Sequence, residues 1–200
     1  MCSPVGHSIA ALAVGCGATQ SRLTWQFVLF CLVSGNAPDL DMLIGWAAGD
    51  INGYHHLGSH SLFAAMLYGM LVYAVISLLT RDTGIRMRYA TSGFLIWVSH
   101  VVLDMLSEDH SEPVGMQLLW PFSQEFFAFP FSPFPAFHHD TIGGDMAGMI
   151  IGLLSMDNAV TVFHEVMILG PLLLLVLWAR RRVLFSGLDT TGGPADNRET

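Results

Sequence analysis

The sequence predicts an all-α protein: a polytopic membrane helical bundle with about three clear transmembrane helices and shorter helical segments ahead of them. Three observations carry that expectation. Hydrophobic residues fill 52% of the 200 positions and charged residues 12%, against roughly 25% charged in an ordinary soluble domain. The mean hydropathy is +0.53. The apolar residues are also gathered into runs long enough to cross a bilayer.

In chain order, His7 opens a short apolar segment, Ser8 to Ala18, interrupted by Gly15 and Gly17 and followed by Arg22. Leu23 to Ser34 is a second short run. Neither reaches the roughly 20 residues of a full crossing, so they read as a tilted pair or a shallow hairpin buried by neighbours. Gly35, Asn36 and Pro38 stop the second run. Asp39 and Asp41 follow, two apart; an extended segment would point both carboxylates one way. Ser59 stands where it can cap the first clear span, His60 to Leu79. Thr80 to Arg88, with Arg81, Arg86 and Arg88, reads as a loop, and Tyr89 to Leu106 as the second span.

Glu108 to Asp145 is the longest non-helical stretch. Its prolines exclude a regular helix, and its phenylalanines suit a membrane interface. Met146 to Met156 is a short apolar piece. Ala159 to Trp178 is the third span, closed by Arg180, Arg181 and Arg182. Residues 1–185 make a single membrane-embedded domain, and the polar, Gly-rich stretch 186–200 reads as a disordered cytoplasmic tail. The first residues lack a basic region, so no cleaved signal peptide is expected.

The net charge is −8 and there is no lysine, which argues against a nucleic-acid partner. Cys2, Cys16 and Cys31 have no CxxC spacing, and Cys31, inside an apolar run, reads as a packing residue.

The positive-inside rule assigns short arginine-bearing loops to the cytoplasm. With Arg81, Arg86 and Arg88 inside, His60 lies at the outer end of its span and Asp104 near the outer surface. Arg180 to Arg182 then return inside with the C-terminus, and Asp39 and Asp41 fall outside. If the first two runs cross, Arg22 is inside and His7 outside. All eight basic residues then share the cytoplasmic side. The nine histidines and most of the sixteen carboxylates lie on or toward the other.

Chemistry concentrates at Phe94 to Asp109. His100 and Asp104 are four apart, on one face of a helix and one turn from each other. An ionisable pair in an apolar helix is expensive and marks a functional site. The groups that could join it are His7, Asp39, Asp41, His55, His56 and His60. More remote are Glu108, Asp109, His110, Glu112, His138, His139, Asp140, His164 and Glu165. Imidazole with carboxylate suits zinc or another divalent transition metal. Each residue also has a plainer reading. A lone histidine such as His164 is usually a packed core residue, PDLD a turn and helix cap, and His138 to Asp140 a solvated loop. Their gathering on one side of a membrane favours a site.

At these residues the chain resembles the bacterial LexA-regulated, inner-membrane metal-dependent hydrolases (YdjM-like). The resemblance runs from His7 to Ser123 and more weakly to Leu175. It rests on GHSIAALAVG at His7, on Pro38, Asp39 and Asp41 as a PDxD element, on HHLGSHS from His55 to Ser61, and on SHVVLDML followed by GMQLLWPFS. The chain departs from the family pattern at His56 (usually Arg), at Ser59 (usually Thr), and in a longer stretch between Asp104 and Gly115. The resemblance implies a membrane-bound, metal-dependent hydrolase. One or two divalent ions, zinc first among them, would be held by His7, Asp39, His55, His60, His100 and Asp104. Asp41 would be a further ligand or a partner of the ligands, and whichever of Asp41 and Glu108 is not a ligand would take a proton from water. A site at the outer face suggests a phosphoester of a lipid or lipid-linked substrate. The competing expectation is a non-catalytic membrane protein that binds or transports a metal ion.

Overall fold

Helices are the regular elements throughout the residues that the computed structural model describes, 1–19, 23–48, 56–110, 113–138 and 151–189. Strand pairing among them is limited to two isolated bridges, Ser107 with Phe134 and Met116 with Phe127.

α1 (Pro4–Gly17) begins where Ser3 accepts a hydrogen bond from Gly6 N and Pro4 takes the first helical position, a place that loses no backbone bond to proline. Its buried face is built from Gly6, His7, Ala10, Ala11, Ala13 and Gly15. These small side chains let three neighbours pack closely on so short a helix. α2 (Trp25–Asn36) is capped by Thr24. Phe27 and Cys31 from α2 join Ala11 of α1 in one buried cluster. Pro38 then forces a turn: a 3-10 segment (Pro38–Leu40) leads into α3 (Asp41–Ala48), and the chain bends by 54° there. The aspartates of PDLD therefore sit in a turn and at a helix start, the plainer of the two readings of that element, and not in an extended segment.

A second 3-10 turn (Gly58–His60) precedes α4 (Leu62–Leu79), which is capped by Ser61. Ser59 does not cap it; its hydroxyl goes to Asp41 instead. α5 (Thr83–Met105) starts at the Asp82 cap, so Arg86 and Arg88 are helical residues and not loop residues as the sequence suggested. α4 and α5 form an antiparallel hairpin in which Gly69 and Gly93 admit Phe94 and Tyr68 closely. α6 (Met156–Asp189) is longer than expected at both ends and carries Pro171 inside. The start of the expected disordered tail, residues 186–189, is helical; residues 190–200 lie outside the described part.

Leu62–Leu79 and Met156–Val183 are long and apolar enough to cross a membrane, each with mean hydropathy 2.2 and few of its apolar residues buried. Their apolar surfaces therefore face outward, toward lipid. The bent pair Trp25–Asn36 plus Pro38–Gly45 brings the candidates to three. α5 is long enough but less apolar, and its buried polar residues Ser92, His100 and Asp104 share one stripe. Ser92, Ile96, His100 and Asp104, spaced by four, are all buried, while Leu95 and Val102 are exposed. That stripe positions the site.

Candidate metal centre

Four side chains converge at one end of the bundle. The turn after α2 supplies Asp39, the turn before α4 supplies His60, and the end of α5 supplies His100 and Asp104. One nitrogen or oxygen from each lies within 4.8 Å of every other. His100 Nε2 is 3.0 Å from Asp104 Oδ2 and 3.2 Å from Asp39 Oδ1. His60 Nε2 is 3.5 Å from each of the same oxygens. The two Nε2 atoms are 3.1 Å apart. His60, His100 and Asp104 are buried, and Asp39 alone keeps partial exposure. The turn that carries His60 is pinned to α5 by Trp97, whose Nε1 donates to Ser59 O at 2.9 Å.

The outer nitrogens explain the inner ones. His100 Nδ1 is 2.8 Å from Gly35 O; a carbonyl only accepts, so Nδ1 carries a hydrogen, and in the neutral ring Nε2 presents its lone pair to the centre. His60 Nδ1 meets Asp41 Oδ2 at 3.2 Å, and Ser59 also donates to that oxygen. This is the partner arrangement that orients metal-binding histidines. Two inward lone pairs beside two carboxylates repel one another unless a cation lies among them. Asp39 Oδ1 and Asp104 Oδ2 are buried without a hydrogen bond. Burial by itself would push the His60 imidazolium down, but the Asp104, Asp39 and Asp41 carboxylates reverse this and hold it well above the ordinary histidine range. The cluster thus calls for positive charge, from a proton or from a divalent metal. Its two imidazoles and two carboxylates are a donor set that fits zinc and its neighbours.

His7 lies against this group. Its ring stacks on His100 with centroids 3.7 Å apart, and its Nε2 is 3.2 Å from Asp104 Oδ1. Asp104 therefore faces His60 and His100 with one oxygen and His7 with the other. Both His7 ring nitrogens are buried without a hydrogen bond.

The other expected site residues divide. His55 lies outside the described residues, as do Glu112, His139 and Asp140. Asp41 sits behind His60 and does not face the centre, so its geometry fits an orienting group better than a proton acceptor. Glu108 is exposed, and its hydrogen bonds run through the backbone, to Phe134 and Met1. The structure does not bring its carboxylate to the cluster, because the chain leaves α5 at Leu106 and turns toward Phe134. At the long loop, His56 from the stretch before α4 approaches Asp109 at 3.9 Å, and the His110 and His138 rings stack at 6.3 Å. His164 is exposed and not packed in the core. Gly35 O and Ser59 were not singled out from the sequence as partners of the ligands. A backbone acceptor leaves no trace in side-chain pattern, and the serine signal read equally well as a helix cap.

Among the described residues, Arg88 and Arg180 lie at the opposite end. Arg180 donates to Cys16 O and Thr19 O at the end of α1. The Arg88 guanidinium lies 4.1 Å over the Phe27 ring. Arg88 and Asp104 are sixteen residues apart on α5, about 24 Å at the helical rise.

Replacing Asp41 with asparagine should leave the fold intact and weaken metal binding by about 10–100-fold, the range for outer partners of ligand histidines. Chelator competition on the purified variant measures this; wild-type affinity would remove Asp41 from the site.

The YdjM inner membrane protein family matches the chain over residues 1–184. No curated protein and no solved structure matches it.

Proposed function

Because the chain belongs to the YdjM inner membrane protein family, we propose that it is a membrane-bound, metal-dependent hydrolase. Its substrate would be a phosphoester of a lipid or lipid-linked molecule. The observation that carries this reading is the convergence of Asp39, His60, His100 and Asp104, with both inward Nε2 atoms oriented from behind. These four residues would hold the ion, with His7 beside the second oxygen of Asp104. When bound, a divalent metal supplies Lewis acidity, polarising a phosphoester and activating water near neutral pH.

The protein's own groups prepare that chemistry. Asp41 and Gly35 O fix the two imidazole orientations. Burial of His60, His100 and Asp104 keeps bulk water away and strengthens every charge interaction at the centre. Asp39, the most exposed member, marks the approach side. Leu40, Leu43 and Ile44, which follow it, are exposed and apolar, suited to the hydrocarbon part of a lipid substrate. The positive-inside rule places the arginine end and the C-terminus in the cytoplasm and the cluster at the outer face.

The test is direct. Protein purified in detergent should contain one or two zinc-like ions and release phosphate or a phosphorylated headgroup from a lipid phosphoester in mixed micelles. Chelation should abolish turnover and added Zn2+ restore it. The burial of three ligands favours a second reading, a metal-binding protein without catalysis, whose result is bound metal with no turnover on any lipid phosphoester. Carefully prepared wild-type protein without metal would sink both.

Metal should also stabilise the fold. At free Zn2+ one hundred times the dissociation constant, linkage predicts about 2.7 kcal/mol. A thermal midpoint that stays constant across a Zn2+ titration would contradict this.

A further inference from the structure

Glu165 is a fully buried carboxylate to which the metal-centre reading gives no task. It stands on α6 inside a membrane-length segment, where an ionisable group without partners is costly. Its partners come from the residues just before α1. Ser3 N donates to Oε1 at 2.7 Å, the Cys2 thiol donates to the same oxygen at 3.0 Å, and the Ser3 hydroxyl donates to Oε2. One backbone N–H, one thiol and one hydroxyl thus satisfy both oxygens of the carboxyl group. The start of α1 adds its favourable dipole. Gly6 permits the approach: a Cβ there would lie 2.7 Å from Glu165 Oε2 and 2.5 Å from Cys2 Sγ. Burial first, and Glu165 second, push the Cys2 thiol up, so it remains an S–H donor.

The same two residues touch the cluster. Cys2 N donates to Asp104 Oδ1 at 2.9 Å. Ser3 O accepts from His7 N at 3.0 Å, one turn later, where the His7 ring stacks on His100. Two residues thus connect Glu165 to both Asp104 and His7.

We propose that Glu165 is a positioning residue of the metal centre, setting the orientation of Asp104 and His7 through Cys2 and Ser3. This rests on the reading of the cluster as a metal site. A clamp that merely joins α1 to α6 would affect stability alone, and Arg180 already ties those helices at the other end.

The experiment uses Glu165→Gln and Ser3→Ala in the full chain. Zn2+ affinity is read by competition with a chromophoric chelator. Diethyl pyrocarbonate labelling of metal-free protein, followed by mass spectrometry, reads access to His7, with exposed His164 as the internal reference. Glu165→Gln should weaken Zn2+ binding by about 10–100-fold and raise His7 labelling relative to His164. Ser3→Ala should do the same, and the double variant should be no worse than Glu165→Gln, because the two act as one unit. Wild-type Zn2+ affinity with unchanged His7 labelling overturns the proposal. If the wild-type chain binds no Zn2+, the metal reading falls, and the labelling alone decides whether Glu165 positions His7. Ser3→Ala carries the test if the glutamine variant fails to fold.

Discussion

Replacing His100 by alanine is expected to abolish metal binding. The imidazole is the most connected member of the cluster. It stands within 3.2 Å of both carboxylates, donates to Gly35 O and stacks on His7. Its removal deletes a ligand, and the loss should exceed the 10–100-fold associated with outer partners. It also strands groups that cannot reach water. Asp39 Oδ1 and Asp104 Oδ2 lose their nearest nitrogen, and Gly35 O loses its donor. Breaking a buried charge network from one side costs about 3–5 kcal/mol. Elemental analysis of the purified variant reads the first effect and thermal unfolding in detergent the second. Wild-type metal content in His100→Ala would exclude this cluster as the site. A variant that loses stability but keeps metal would make the contacts structural.

Asp104→Asn should produce the second largest change, and by a different route. Asparagine keeps the shape, so packing survives and the charge does not. The carboxylate serves both sides: Oδ1 accepts from Cys2 N and faces His7, while Oδ2 faces His60 and His100. An amide offers one acceptor oxygen and one NH2 donor group, so either the NH2 opposes the Cys2 N–H, donor against donor, or it donates to an imidazole lone pair that the metal would need. Metal affinity should fall by more than the 10–100-fold of an outer partner, with helical content near wild type by circular dichroism. Retained metal would move the site away from the end of α5. Because His100 and Asp104 share contacts, the double variant should cost less than the sum of the two.

Much of this was legible in the residues. Apolar runs decide that the chain crosses a membrane, since backbone groups in lipid must be satisfied within helices. The i, i+4 spacing of His100 and Asp104 places both on one face whatever surrounds them. Among the described residues, Arg88 and Arg180 lie at one end of the bundle, and Asp39, His60, His100 and Asp104 meet at the other. What misled was local. PDLD forms a turn and helix start because Pro38 sets the backbone there, and the two aspartates consequently do different things. Asp39 faces the centre, and Asp41 stands behind His60. The arginines at 86 and 88 belong to α5 because the Asp82 cap starts the helix early.

The sequence by itself determined an all-helical membrane bundle, its family, and which residue types were available for a metal. Only the tertiary structure decided which of them meet. Convergence depends on close approaches between segments distant in the chain: Gly35 against α1, the bend at Pro38, and the Trp97 bond to Ser59. Glu108 and Asp104 lie four residues apart, yet one is exposed and the other buried, because the helix ends between them. Glu165 and Ser3 are separated by most of the chain and share hydrogen bonds. Sequence spacing governs neighbours along one helix. Contacts between helices follow from packing, where a small residue or a backbone carbonyl decides as much as a charge.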